Sequence, residues 1–229
     1  MSKLNLERKK KLDLKKRKIR AFFLSIETKK KQKLEVDKAV ENLYQDGMVY
    51  IQMKLPVEKI TKEFEEKLKN KIEHNIIQAK IREATKEDLD SLKYIYNRAW
   101  LTSNTPFRPI TKTDLSKILE YPDTIFLIAK IYGSDAAFLL LDFEGENNEY
   151  AIIAALAVIP RFQRRGVGSV LGMASWQYLK EKYPNVKEVR CEVYKDNLVS
   201  YSFIKGIGFE EYDKKVYKKE DFEIYESEK

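Results

Sequence analysis

The chain has 229 residues, one cysteine, one histidine and a formal net charge of +8. That length allows one large domain or a medium domain with an appendage, and the lone Cys and His exclude a disulfide framework and a His/Cys zinc cluster. Hydrophobic residues at 43% and charged residues at 35% leave enough apolar material for a core, but no apolar run approaches the roughly 20 residues of a membrane span. From the N-terminus, residues 4 to about 25 read as a helix, with Leu4, Leu12, Ile19 and Phe23 among many lysines. The short run Ala21-Phe22-Phe23-Leu24 is ended by Glu27 and three lysines. It is too short for a secretory signal, so a soluble cytoplasmic protein is the expectation. A second helical pattern, Leu34 to Tyr44, stops at Asp46-Gly47, a C-terminal signal. Met48–Met53 reads as a short strand, and Pro56 opens a third helix with Ile60, Phe64 and Leu68 four apart.

The charge is concentrated in this first part. Residues 1–80 carry 22 Lys+Arg against 12 Asp+Glu, a balance of +10, while the rest of the chain sums to −2. Residues 1–33 alone hold 14 basic and 3 acidic groups. The order helix, helix, strand, helix with a basic first element loosely resembles a small winged-helix DNA binder. A solvated arm that packs on the main domain, binds a partner protein or forms a homodimer uses the same residues, since lysine runs are most often simply hydrated. The expected division is therefore a basic, mainly helical region over residues 1–77 and a mixed domain over 78–229.

In the second part, Ile76 to Ala84 alternates as a strand. Thr85 can cap the helix that follows, with Glu87 and Asp88 at its positive end and Leu89, Leu92 and Ile95 as its apolar stripe. A loop with Pro106 and Pro109 leads to a short helix over Lys112–Leu119. Thr124–Ile131 and Ala136–Phe143 read as a hairpin around Gly133-Ser134-Asp135. Ala151–Ile159 is almost wholly apolar, the pattern of a strand buried on both faces.

Gln163-Arg164-Arg165-Gly166-Val167-Gly168-Ser169 follows that strand and opens an amphipathic helix running to about Tyr183. The glycines permit a sharp turn and close approach of backbone to a ligand. The helix start leaves unpaired N–H groups and a positive dipole end. With two arginines, the segment is a seat for phosphate.

This loop resembles the Q/R-x-x-G-x-G/A signature of the GNAT superfamily of acetyl-CoA-dependent N-acetyltransferases. The resemblance continues through Cys191–Asn197, like that family's fifth strand and helix-opening Asn, and Gly208-Phe209, placed as its terminal Gly-Phe. It covers about residues 78–218. It implies an α+β fold with a mixed, mostly antiparallel sheet flanked by helices, whose fourth and fifth strands splay to admit pantetheine. By the resemblance, acetyl-CoA is the acetyl donor and no metal is needed. Leu156 and Val158 offer backbone groups to the pantetheine, Gln163, Arg164, Arg165, Gly166, Val167, Gly168 and Ser169 surround the pyrophosphate, and Asn197 contacts the cofactor near its thioester.

Transfer to an amine needs a neutral nitrogen, and hence a group to take its proton. Many family members carry a Glu on the fourth strand at the position of Ile152 here. Glu192 matches the strand-five Glu of the branch that acetylates protein N-termini and is the candidate base or amine-orienting group, with Glu149 a second choice. The family's usual Tyr acid falls at Ile204, and Tyr201, one turn earlier on the same helix face, is the candidate in its place. Cys191 reads as a buried strand residue and His74 as a surface one. Trp100, Phe107, Arg108 and Tyr212 are acceptor-site candidates by position. The expected function is N-acetylation of a protein N-terminus, a lysine or a small amine. The alternative is an acyl-CoA-binding regulatory protein whose basic region binds nucleic acid.

Overall fold

A computed structural model of the chain describes residues 47–73, 79–101 and 110–217. The two N-terminal helical patterns, His74, Phe107 and Arg108 lie outside these residues. Seven strands form one sheet in the order β2-β3-β4-β5-β6-β1-β7. They are β1 (Met48–Pro56), β2 (Ala79–Glu83), β3 (Ile125–Ile131), β4 (Ser134–Glu144), β5 (Tyr150–Val158), β6 (Glu188–Tyr194) and β7 (Glu210–Tyr217). Every neighbouring pair is antiparallel except β5 and β6. The described helices are α1 (Lys62–Glu73), α2 (Leu89–Trp100), α3 (Lys112–Leu119), α4 (Val167–Lys182) and α5 (Leu198–Gly206). This is the mixed, mostly antiparallel α+β architecture that the resemblance implied.

The inner strands β3, β4 and β5 form on the apolar runs, whereas β7 is charged and exposed; β3 and β4 are buried on both faces where helices pack on the sheet. Leu55, Ile153 and Val189 face α1 and α4. Their strand neighbours Lys54, Ile152 and Arg190 therefore face the other way, toward α2. At the start of α3, Thr111 Oγ1 accepts from the Asp114 amide at 3.2 Å and Asp114 Oδ2 accepts from the Thr111 amide at 3.0 Å, a reciprocal cap.

Three local expectations shift. The β3–β4 turn is the two-residue Tyr132-Gly133, with φ of 50° and 81°, rather than Gly133-Ser134-Asp135; hairpin twist demands positive φ at both positions and a tyrosine is not a usual signal for it. Pro56 is the last residue of β1 and, with its extended ψ of 135°, the cap of a short 3-10 turn over Val57–Lys59 rather than the start of the α-helix. Helix α1 begins at Lys62, where Thr61 Oγ1 accepts from the Phe64 amide at 3.2 Å.

The boundary expected at 77/78 does not separate the described parts of the chain. β1 is hydrogen-bonded between β6 and β7, with Met53 opposite Cys191 on one side and Glu211 on the other. α1 packs on α4, where Glu65 accepts from Trp176 Nε1 at 2.6 Å and from Lys180 Nζ at 2.8 Å. A segment that reads as an appendage from its charge supplies an inner strand.

Deleting residues 1–56 is therefore expected to leave β6 and β7 with facing unpaired edges and to abolish the cooperative thermal transition followed by circular dichroism. A transition near the full-length midpoint would show that β1 is dispensable.

Candidate active site

β5 and β6 stay paired only from Tyr150/Glu188 to Ile153/Cys191. At that point β5 carries a bulge: Leu140 of β4 faces Ala155 and Leu141 faces Ile153, leaving Ala154 as the extra residue. A bulge bends its strand and raises the local twist, so the remainder of β5 leaves β6 and a wedge opens between them. The Ile159 amide donates to Ala136 O on the β4 side at 3.0 Å. Backbone groups alternate along a strand, so Leu156 and Val158 direct theirs into the wedge. Gln163 Nε2 donates to the Val158 carbonyl at 2.8 Å. This ties the loop to the strand end and uses one acceptor site of that carbonyl.

The loop closes the open end of the wedge. Arg164 has φ of 58° and Gly166 has φ of 79°. The first helical bond of α4 is Val170 N to Gly166 O at 3.0 Å, so the amides of Val167, Gly168 and Ser169 precede any intrahelical partner. Arg161, Arg164 and Arg165 are exposed around them. Gly168 is a packing requirement: a Cβ there would lie 2.9 Å from Phe203 Cζ and 3.6 Å from Leu156 Cδ2. Asn197 caps α5, its Oδ1 accepting from the Ser200 amide at 3.1 Å.

Glu192 is the first β6 residue beyond the last β5 pair, on the α2 face and opposite Gln52 of β1. Its Oε2 accepts from Tyr217 Oη at 2.7 Å. Beside it Tyr50, Tyr194, Tyr217 and Met48 form a buried cluster, with the Tyr50 ring centroid 5.5 Å from that of Tyr194 and 5.4 Å from that of Tyr217. Burial, with help from Tyr194 and Glu192, pushes the Tyr50 hydroxyl far above its usual range, so it stays a neutral phenol. Gln52 Nε2 is buried beside this group without a hydrogen-bond partner. The Cys191 thiol is also pushed up by burial and then by Glu192, which keeps it unreactive.

Other candidates lie elsewhere. Tyr201 donates to Glu211 and accepts from Lys205 Nζ at 3.1 Å. Glu211 pairs with Met53, on the face opposite the Glu192 carboxylate, so Tyr201 and Glu192 are not brought together. Ile204 is buried core at 5% exposure. Ile152 is buried opposite Arg190, whose guanidinium sits 3.6 Å from the Tyr150 ring centroid and binds Glu188 at 2.6 Å. Glu149 forms an ion pair with Lys187 at 2.6 Å, which holds its carboxyl below the usual range. Trp100 stacks on Tyr96 at 4.4 Å, and the exposed Tyr212 lies beside Lys54 and Arg190. Sequence reasoning missed Tyr217, Tyr50 and Gln52. The alternation in residues 48–53 was the available signal, but it does not say which strands β1 joins.

Residues 89–209 match the Acetyltransferase (GNAT) family. The chain belongs to that family. It is 28% identical over 141 residues to an N-alpha-acetyltransferase of Sulfurisphaera tokodaii, covering 58% of this chain and 80% of that protein. It is 26% identical over 138 residues to an uncharacterized N-acetyltransferase of Methanocaldococcus jannaschii, covering 57% of this chain and 60% of the relative. Among solved structures, the PaiA N-acetyltransferase of Thermoplasma acidophilum in complex with coenzyme A shares the fold with a TM-score of 0.53 at 21% identity, over 61% of this chain and 99% of that one. Among the described residues, no helix is long and apolar enough to cross a membrane, and no group of three or more metal-ligating side chains is present.

Gly166→Ala is expected to let the loop relax away from its left-handed turn, which an L side chain disfavours by about 1–2 kcal/mol. CoA affinity by titration calorimetry should fall roughly tenfold; unchanged affinity would remove this turn from the phosphate seat.

Proposed function

We propose that the chain transfers an acetyl group from acetyl-CoA to an amine at the apex of the β5–β6 wedge. The observation that carries this reading is that the phosphate-loop geometry closes one end of the wedge while Glu192 stands at the other. The loop amides, Arg164 and Arg165 hold the pyrophosphate. Leu156 and Val158 offer backbone to the pantetheine, and Asn197 fixes the start of α5 along the thioester end.

The acceptor approaches from the α2 face. Glu192 takes a proton from the ammonium, the freed nitrogen attacks the thioester carbonyl, the C–N bond forms and the C–S bond breaks. As the C–S bond breaks the attacking nitrogen gives its second proton to the departing sulfur, so the neutral amide forms and CoA leaves as the thiol, while the proton on Glu192 passes to solvent. Tyr217 holds the Glu192 carboxylate in position by its 2.7 Å hydrogen bond. An α-amine, with a pKa near 7.7–8.0, loses its proton far more readily than a lysine amine near 10.4. Together with the similarity to an N-alpha-acetyltransferase, this favours a protein N-terminus as acceptor over a lysine.

A second reading is an acyl-CoA-binding regulator without turnover, favoured by Ile152 and Ile204 at two usual catalytic positions and by the tethering of Tyr201 to Glu211. In that reading the basic residues 1–33 contact nucleic acid.

A thiol-release assay with N-terminal peptides separates the two. Glu192→Gln is expected to lower kcat by roughly 100-fold or more while CoA affinity stays within about twofold. Tyr217→Phe should lower kcat less, about tenfold, by loosening the carboxylate. Wild-type turnover in Glu192→Gln would remove Glu192 from the mechanism, and CoA binding without thiol release from any amine would favour the regulator.

A further inference from the structure

The packing under the apex of the wedge is incomplete. On the α4 face lies a cavity of about 50 Å³, walled by Leu55 of β1, Phe64 and Leu68 of α1, Ile153 of β5, Gly172 of α4 and Phe209. One water-sized group needs about 10–15 Å³ on this scale, so there is room for roughly three to five. Of the polar groups at its rim, Ser175 Oγ donates to Gly172 O at 2.8 Å and Glu65 accepts from Trp176 and Lys180, while Ser169 marks the end nearest the loop. A hole with this lining suits an apolar occupant rather than water.

Gly172 points to the same conclusion independently. It sits inside α4, where glycine is several-fold less favourable than alanine. At Gly168 the missing Cβ is demanded by Phe203, but a Cβ at Gly172 would meet nothing within 4 Å. Its conformation is ordinary, since it is not among the positive-φ residues. What the glycine provides is open space facing the cavity.

Position supplies the occupant. From Ala154 to Val158 the free stretch of β5 runs about 13 Å, of the order of an extended pantetheine arm, and the phosphate loop lies just beyond it. A thioester laid along the wedge from that loop brings its acyl carbon to the apex, where Ile153 and Val189 line the cavity. Glu192 and the acceptor are on the opposite face, so an acyl chain can extend into the cavity without obstructing attack.

We propose that this cavity is an acyl-chain pocket, so that the site takes CoA thioesters of linear chains of about four to six carbons as well as acetyl-CoA. The proposal rests on the CoA-dependent reading of the site. The bonds formed and broken are those of acetyl transfer, with no further reactant.

Titration calorimetry of the full chain with acetyl-, butyryl- and hexanoyl-CoA tests it. Each buried methylene strengthens binding by about fourfold, so butyryl-CoA should bind roughly tenfold or more tighter than acetyl-CoA. In Gly172→Leu, which fills the hole, that ratio should fall to near one while the thermal midpoint stays equal or rises; Gly172→Ala should lower it partway. Butyryl-CoA binding no tighter than acetyl-CoA, or a ratio that survives in a folded Gly172→Leu, overturns the pocket and leaves the CoA reading intact. Failure of every thioester to bind overturns both.

Discussion

The pairing of β5 with β6 lasts for four residue pairs and then stops, and the site depends on that stop. Parallel strands inside a covered sheet ordinarily continue, because an unpaired backbone group taken from water costs about as much as a lost hydrogen bond. Here the extra residue Ala154 bends β5 off its neighbour. Leu156 and Val158 are left directing their backbone groups into a wedge, where Gln163 meets one lone pair of the Val158 carbonyl and an extended polar ligand or water can satisfy the rest. The same parting sets Glu192 at the apex, as the first β6 residue with no β5 partner. The loop from Gln163 to Ser169 then follows directly from the strand end, fastened to it by the Gln163–Val158 hydrogen bond.

The N-terminal strand completes this arrangement from the other side. β1 supports the outer edge of β6 along seven residue pairs, so β6 can hold its course while β5 departs. It also carries Tyr50 and Gln52 onto the face of Glu192, and with α1 it roofs the cavity beneath the apex. The excess positive charge of the chain therefore sits on a segment that continues into an inner strand of the sheet. Whatever that charge contacts, it is covalently continuous with the strand next to the proposed base.

Much of this was legible in the residues. The Gly-Arg loop was readable because Gly166 stands where a left-handed turn meets a helix start, a need that few residues other than glycine meet. The buried run Ala151–Ile159 and the capped helix Lys112–Leu119 were readable because each is a local pattern with a local cause. What could not be read was pairing at a distance. Nothing in the alternation of Met48–Met53 says that it lies between β6 and β7. The contact of Tyr217 with Glu192 spans 25 positions and reaches across β1, which lies between their strands. Helical spacing placed Tyr201 near the expected acid position, but its hydroxyl is claimed by Glu211 on the opposite face. The bulge at Ala154 leaves no mark in an apolar run, because one extra alanine does not change its composition.

The central claim is that the wedge seats the CoA arm. Hydrogen exchange read by mass spectrometry, with and without CoA, tests this directly. Binding is predicted to slow exchange of the amides in residues 154–158 and in the loop and first turn of α4, with little change in β2 and β3. Protection confined to other regions, with residues 154–158 exchanging as fast as in the free protein under saturating CoA, would contradict it.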